Sequence, residues 1–132
     1  MMNAIQRRYA SAVARNDAHN AEATAIEQGI IAALNLTDAV GKPVSSLFCV
    51  RDEATYHLAS EMYESALLKC GWYTRQPAIL DELNAATDAL VDWGLSMFAE
   101  VYPKEAQTLR AEAKRSYPTR VKIADYAFRL HL

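Results

Sequence analysis

The residues with most chemical potential in this 132-residue sequence are carboxylates at helical spacing. Glu53, His57, Glu61 and Glu64 fall along one stripe of a helix. Asp81, Glu82, Asp88 and Asp92 follow on the next helix, where the three aspartates lie within about 40° of one another on a wheel of 3.6 residues per turn. Facing carboxylates on neighbouring helices supply the hard oxygen ligands that magnesium requires, and the ion would polarise a phosphoryl group toward water. Glu61, Glu64 and Asp81 are the candidate ligands of such a site. A di-iron centre is excluded, because it needs paired Glu-x-x-His elements. The nearest spacings here are Glu53-x-x-x-His57 and the reversed His19-x-x-Glu22.

Glu61-x-x-Glu64 and the later Asp81-x-x-Asn84 resemble the paired helical motifs of the MazG-like all-α nucleoside triphosphate pyrophosphohydrolases. The second element departs from the family pattern, with Asp81 in place of glutamate and the neutral Asn84 in place of an aspartate ligand. The resemblance implies a magnesium-dependent enzyme that releases pyrophosphate. The same residues equally suit a solvated acidic face, and no Ser-His-Asp arrangement or glycine-rich phosphate loop accompanies them. The leading expectation is therefore no catalytic site and no cofactor, with magnesium as the alternative.

A second constellation is basic. Residues 104 to 132 carry seven basic groups against three acidic, whereas residues 51 to 103 carry three against nine. Arg110, Lys114, Arg115, Arg120, Lys122 and Arg129 form a candidate patch for an anionic partner, and two short helices joined at Tyr117-Pro118 invite comparison with a helix-turn-helix. Against nucleic acid stand the net charge of −2 and a last helix rich in aliphatics rather than base-reading side chains. The alternative is that the basic corner packs on the acidic stripe of Asp81, Asp88 and Asp92.

The elements that must position these residues are helices. Four Gly, four Pro and abundant Ala leave few turn-makers and many helix formers, which predicts an all-α single domain over 1–132, a four- to five-helix bundle with a long amphipathic N-terminal helix. No run approaches the roughly 18 apolar residues of a membrane span, and no secretory leader pattern opens the chain, so a soluble cytoplasmic protein is expected. Cys49 and Cys70 fit neither CxxC nor zinc-ligand spacing and read as free, partly buried thiols.

On the first helix, from about residue 3 to 35, Ile5, Tyr9, Ala12, Asn16, His19, Ala23, Ile26, Ile30 and Ala33 alternate at 4-3 spacing, a seam for a partner helix. Such a helix either bends near Asp17 or projects toward a partner. Ile5, Tyr9, Asn16, His19, Ile26 and Ile30 are the expected homodimer interface, with Asn16 and a hydrogen-bonded His19 setting register. Gly41 and Pro43 mark the main loop, after which Leu47, Phe48 and Val50 should plug one end of the bundle. The second helix runs from about Asp52 to Cys70, stopped by Gly71, with Ala54, Leu58, Met62, Ser65 and Leu68 toward the core. Pro77, Pro103 and Pro118 are each expected in the first turn of a helix. The last helix should be largely buried through Val121, Ile123, Ala124, Ala127, Phe128, Leu130 and Leu132. The function that follows is a small non-enzymatic helical interaction or regulatory protein acting through helix surfaces, a homodimer with an unidentified protein as further partner; the alternatives are the magnesium-dependent pyrophosphohydrolase and a nucleic-acid-binding protein using the basic C-terminal helices.

Overall fold

The computed structural model describes residues 1–130 and is all-α, with no strand among the described residues. Its helices are α1 (Ala4–Ala33), α2 (Glu53–Lys69), α3 (Trp72–Ala99), α4 (Pro103–Arg115) and α5 (Tyr117–Phe128), with a short 3-10 helix at Leu47–Cys49. Leu132 of the expected C-terminal core lies outside the described residues.

Local chemistry sets the boundaries. Asn3 and Gln6 form a reciprocal cap at the start of α1, the Gln6 amide donating to Asn3 Oδ1 at 2.8 Å and the Asn3 amide to Gln6 Oε1 at 2.9 Å. The helix ends in a Schellman motif. Asn35 takes φ +51°, the Leu36 amide donates to Ile31 O and the Asn35 amide to Ala32 O. Asp52 caps α2 by accepting from the Thr55 amide at 2.9 Å, and Gly71, at φ +78°, closes it. Ser116 separates α4 from α5 with extended backbone, so the corner falls one residue before Tyr117.

Pro77 does not begin α3. The helix starts at Trp72, directly after the Gly71 turn, and Pro77 sits inside it. As the sixth residue of the helix it lacks the N–H that would donate to the Tyr73 carbonyl, so the second turn forgoes one backbone bond.

The chain forms two compact units, Met1–Arg15 with Ile79–Leu132, and Asn16–Ala78. In the first, Leu90, Val91 and Leu95 of α3 pack with Ala124 and Ala127 of α5, flanked by Ile5, Tyr9, Leu109 and Phe128. Gly94 lets α5 approach closely: a Cβ built there would lie 2.7 Å from the Ala127 Cβ. The burial of α5 is narrower than expected. Ala124 and Ala127 are inside, while Val121, Tyr117 and Tyr126 are exposed.

In the second unit, Ile30 and Ile31 of α1 pack with Leu36, Val44, Leu47 and Ala59. The connecting loop is pinched by a bridge between Thr37 and Pro43 and tied to α1 by Gln28 Nε2 donating to Ser45 O and the Leu47 amide donating to Glu27. Leu47 is buried and Val50 half-buried, as the plug required, but Phe48 points outward at 86% exposure. The tight 3-10 turn directs adjacent side chains apart, so the three cannot all enter the core.

The face of α2 is also reversed from expectation. Ala59 and Leu67 are buried and Tyr63 packs beside them, whereas Leu58, Met62 and Leu68 are 51%, 37% and 66% exposed. Two apolar stripes run along this helix, and the core uses the one carrying Ala59, Tyr63 and Leu67.

Candidate functional site

The α1 seam is filled by the chain itself. Ile5 and Tyr9 pack on the first unit's core, with the Tyr9 and Phe128 rings 5.5 Å apart. Ile26 and Ile30 belong to the second unit's core, and Asn16 is half-buried. α1 is one uninterrupted helix with both halves packed, so its roughly 45 Å length is used within the chain.

His19 is 3% exposed and stacks on Trp72 with ring centroids 4.1 Å apart and planes 9° from parallel. Neither ring nitrogen has a hydrogen-bond partner among the described residues. This corrects the expected hydrogen-bonded histidine: aromatic stacking holds the ring, while Trp72 Nε1 donates to the His19 carbonyl at 2.7 Å. Trp72 is therefore a packing group, half-buried beside α1.

Most of the carboxylates act as ties. Glu22 accepts two bonds from Arg75 at 2.8 and 2.9 Å, and Glu82 two from Arg8 at 2.7 and 3.1 Å. The opposing guanidinium holds each carboxyl below the ordinary glutamate value. Glu64 accepts from the Tyr73 hydroxyl at 2.8 Å, which raises the phenol's pKa, and Glu53 lies 3.6 Å from His57. Glu61 and Asp81 are exposed. Among the described residues no group of three or more His, Cys, Asp or Glu side chains is placed to hold a metal ion. Glu61, Glu64 and Asp81 are not brought together as a ligand cluster.

The basic corner packs on α3. Arg110 pairs with Asp92, and Arg120 donates to Asp88 at 2.8 Å and to the Asn84 carbonyl at 3.2 Å. Arg129 pairs within α5 with Asp125 at 3.2 Å. Lys114, Arg115 and Lys122 have no ion pair among the described residues. The six cations thus divide equally, three neutralised and three available, which explains why the run of charge reads as a larger patch in sequence than it presents in space.

Both cysteines are exposed and free, rather than partly buried. Hydroxyls of Ser45 and Ser46 lie 3.6 and 3.7 Å from the Cys49 sulfur and lower its pKa from the ordinary thiol value.

Sequence reasoning missed Gln6. It is 1% exposed, and its Nε2 donates to the carbonyls of Ala127, Phe128 and Leu130 at 3.1, 3.3 and 2.7 Å, closing the end of α5. The Asn-x-x-Gln spacing before the apolar seam was its available signal. The outward stripe of α2 was visible as apolar periodicity but assigned to the core.

No helix of the described residues is long and apolar enough to cross a membrane. Comparison with protein-family models, curated proteins and solved structures finds no match to this chain.

Proposed function

We propose that this is a small non-enzymatic helical interaction protein that pairs with a second copy through the outward face of α2. The observation that carries this reading is the exposed stripe of Leu58, Met62 and Leu68 on a helix whose opposite side already serves the core. Scattered exposed apolar residues are ordinary, but a row at helical spacing on one stable helix is the form taken by helix-docking surfaces.

A second copy of α2 in antiparallel orientation fits this face. Such a register sets Ala54 opposite Leu68 and Leu58 opposite Ser65, alternating small and large side chains along a helix of roughly 25 Å. It also sets the acidic start of the helix, Glu53, opposite the basic end, Lys69. Met62 lies near the two-fold axis, and the Glu61 carboxylates of the two copies approach each other beside it, a like-charge contact that the Glu53–Lys69 pairs must outweigh. An isologous contact of this kind closes on itself as a dimer. Assigning the surface to α2 also moves the expected interface away from the α1 seam, whose residues pack internally.

Native mass spectrometry tests the proposal. The protein should appear as a dimer that becomes monomeric with Leu58→Asp and Met62→Asp, both exposed positions whose change leaves helical circular dichroism intact. Glu53→Lys or Lys69→Glu alone should weaken pairing, and the two together restore it. A monomeric wild type at about 100 µM, or a dimer indifferent to Leu58→Asp, overturns the reading.

A further inference from the structure

The outward face of α2 carries one residue out of keeping with its neighbours. Ala54, Leu58, Glu61, Ser65 and Leu68 follow one another at 4-3 spacing, the seam of a paired helix. On a wheel of 3.6 residues per turn Glu61 falls between Leu58 and Leu68, and all three are exposed. A carboxylate therefore occupies the middle of the apolar row. The other carboxylates of α2 have partners: Glu53 lies 3.6 Å from His57, and Glu64 accepts from the Tyr73 hydroxyl of α3 at 2.8 Å. Glu61 has none among the described residues.

The inference rests on the pairing of α2 with a second copy. The register that sets Ala54 opposite Leu68 and Leu58 opposite Ser65 sets Glu61 against Glu61 of the second copy at the two-fold axis. Two carboxylates in one place repel while both are ionised, and burial beside Leu58 and Met62 of both copies takes water from them. One proton, taken from solvent, removes both costs, because a protonated carboxyl donates to the remaining carboxylate in a charge-assisted hydrogen bond. The charged and titratable groups beside the pair are His57, one turn before Glu61, and Glu64, three residues after it, with Tyr73 of α3 bonded to Glu64. The second copy presents the same groups.

We propose that the Glu61 pair makes association through α2 proton-dependent, so that two chains bind more tightly as pH falls from 7 to 5. The sign follows from linkage. The dimer holds one proton more than two separate chains, so pairing strengthens with acidity, by at most about tenfold per pH unit.

Sedimentation equilibrium of the full chain at pH 7 and pH 5, in about 0.15 M salt, measures the effect. The wild-type dissociation constant should fall about tenfold between the two, with the same helical circular dichroism at both. Glu61→Gln replaces the proton-sharing pair by two amides that hydrogen-bond to each other at either pH. It should associate at pH 7 about as tightly as the wild type does at pH 5, and its pH response should vanish. Glu105→Gln, the same loss of charge at an exposed site on α4, should keep the wild-type response. A dimer lost with Leu58→Asp but equally tight at pH 7 and pH 5 overturns the proton dependence and leaves the α2 contact standing. A pH response that survives Glu61→Gln also overturns it and assigns the response to His57 and Glu64. If wild type and Glu61→Gln are monomeric at both pH values, or pairing ignores Leu58→Asp, both readings fall together.

Discussion

Gln6 has both ends of its amide committed: Oε1 accepts from the Asn3 backbone, and Nε2 serves three carbonyls at the end of α5. The last carbonyls of a helix have no partner within it, and burying them requires a donor from elsewhere. Removing that donor leaves desolvated acceptors behind. Gln6→Ala should therefore cost about 1–3 kcal/mol, more than loss of an exposed hydrogen bond. Urea unfolding followed by circular dichroism would measure it. A midpoint indistinguishable from wild type would mean that water replaces the amide there without penalty. The same accounting distinguishes His19, whose two buried ring nitrogens lack partners and whose retention rests on stacking against Trp72.

At the scale of elements, the approach of α3 to α5 depends on the absence of a side chain at Gly94. Gly94→Ala gains helix propensity, by roughly 1 kcal/mol, yet sets a methyl 2.7 Å from the Ala127 Cβ. Separation of the two helices should outweigh that gain and destabilise the protein by about 1–3 kcal/mol, with Ala127→Gly in the same chain recovering part of the loss. Unfolding midpoints of the two single variants and the double would show it, and an additive double variant would sink the argument. Helix boundaries were legible where one residue decides them: Asp52, Gly71, Pro103 and Pro118 mark ends by local chemistry, although the corner between α4 and α5 falls at Ser116, one residue before the expected Tyr117. Pro77 was misread because a proline inside an early turn resembles one that starts a helix. The faces of α2 were misread for a different reason. Both its stripes are apolar, and periodicity reports that a stripe exists without saying which neighbour it meets. The seam of α1 shows in the sequence as a heptad spacing, and that spacing is the same whether the partner helix belongs to the same chain or another. The basic corner was legible as one of two alternatives, with Asp88 and Asp92 already identified as complementary.

Across the whole molecule, each unit contains a bidentate ion pair between α1 and α3, Arg8 with Glu82 in one and Arg75 with Glu22 in the other. The glutamates have folded-state pKa values lowered from 4.5, first through the hydrogen bonds from their arginines. A carboxyl depressed on folding contributes stability that is fully present above its unfolded value and is lost as pH falls through the folded one. The contribution of both pairs should thus be intact at neutral pH and disappear on acidification from about pH 5 downward. All four side chains are partly exposed, so salt should screen the effect and its size should be modest. Unfolding midpoints of the wild type and of Glu22→Gln with Glu82→Gln, compared from pH 7 to pH 3 at low salt, isolate it from the other carboxylates. The gap should narrow as pH falls and be smaller at 1 M salt. A gap that stays constant to pH 3 would mean the pairs hold the units through packing of their side-chain stems rather than through charge.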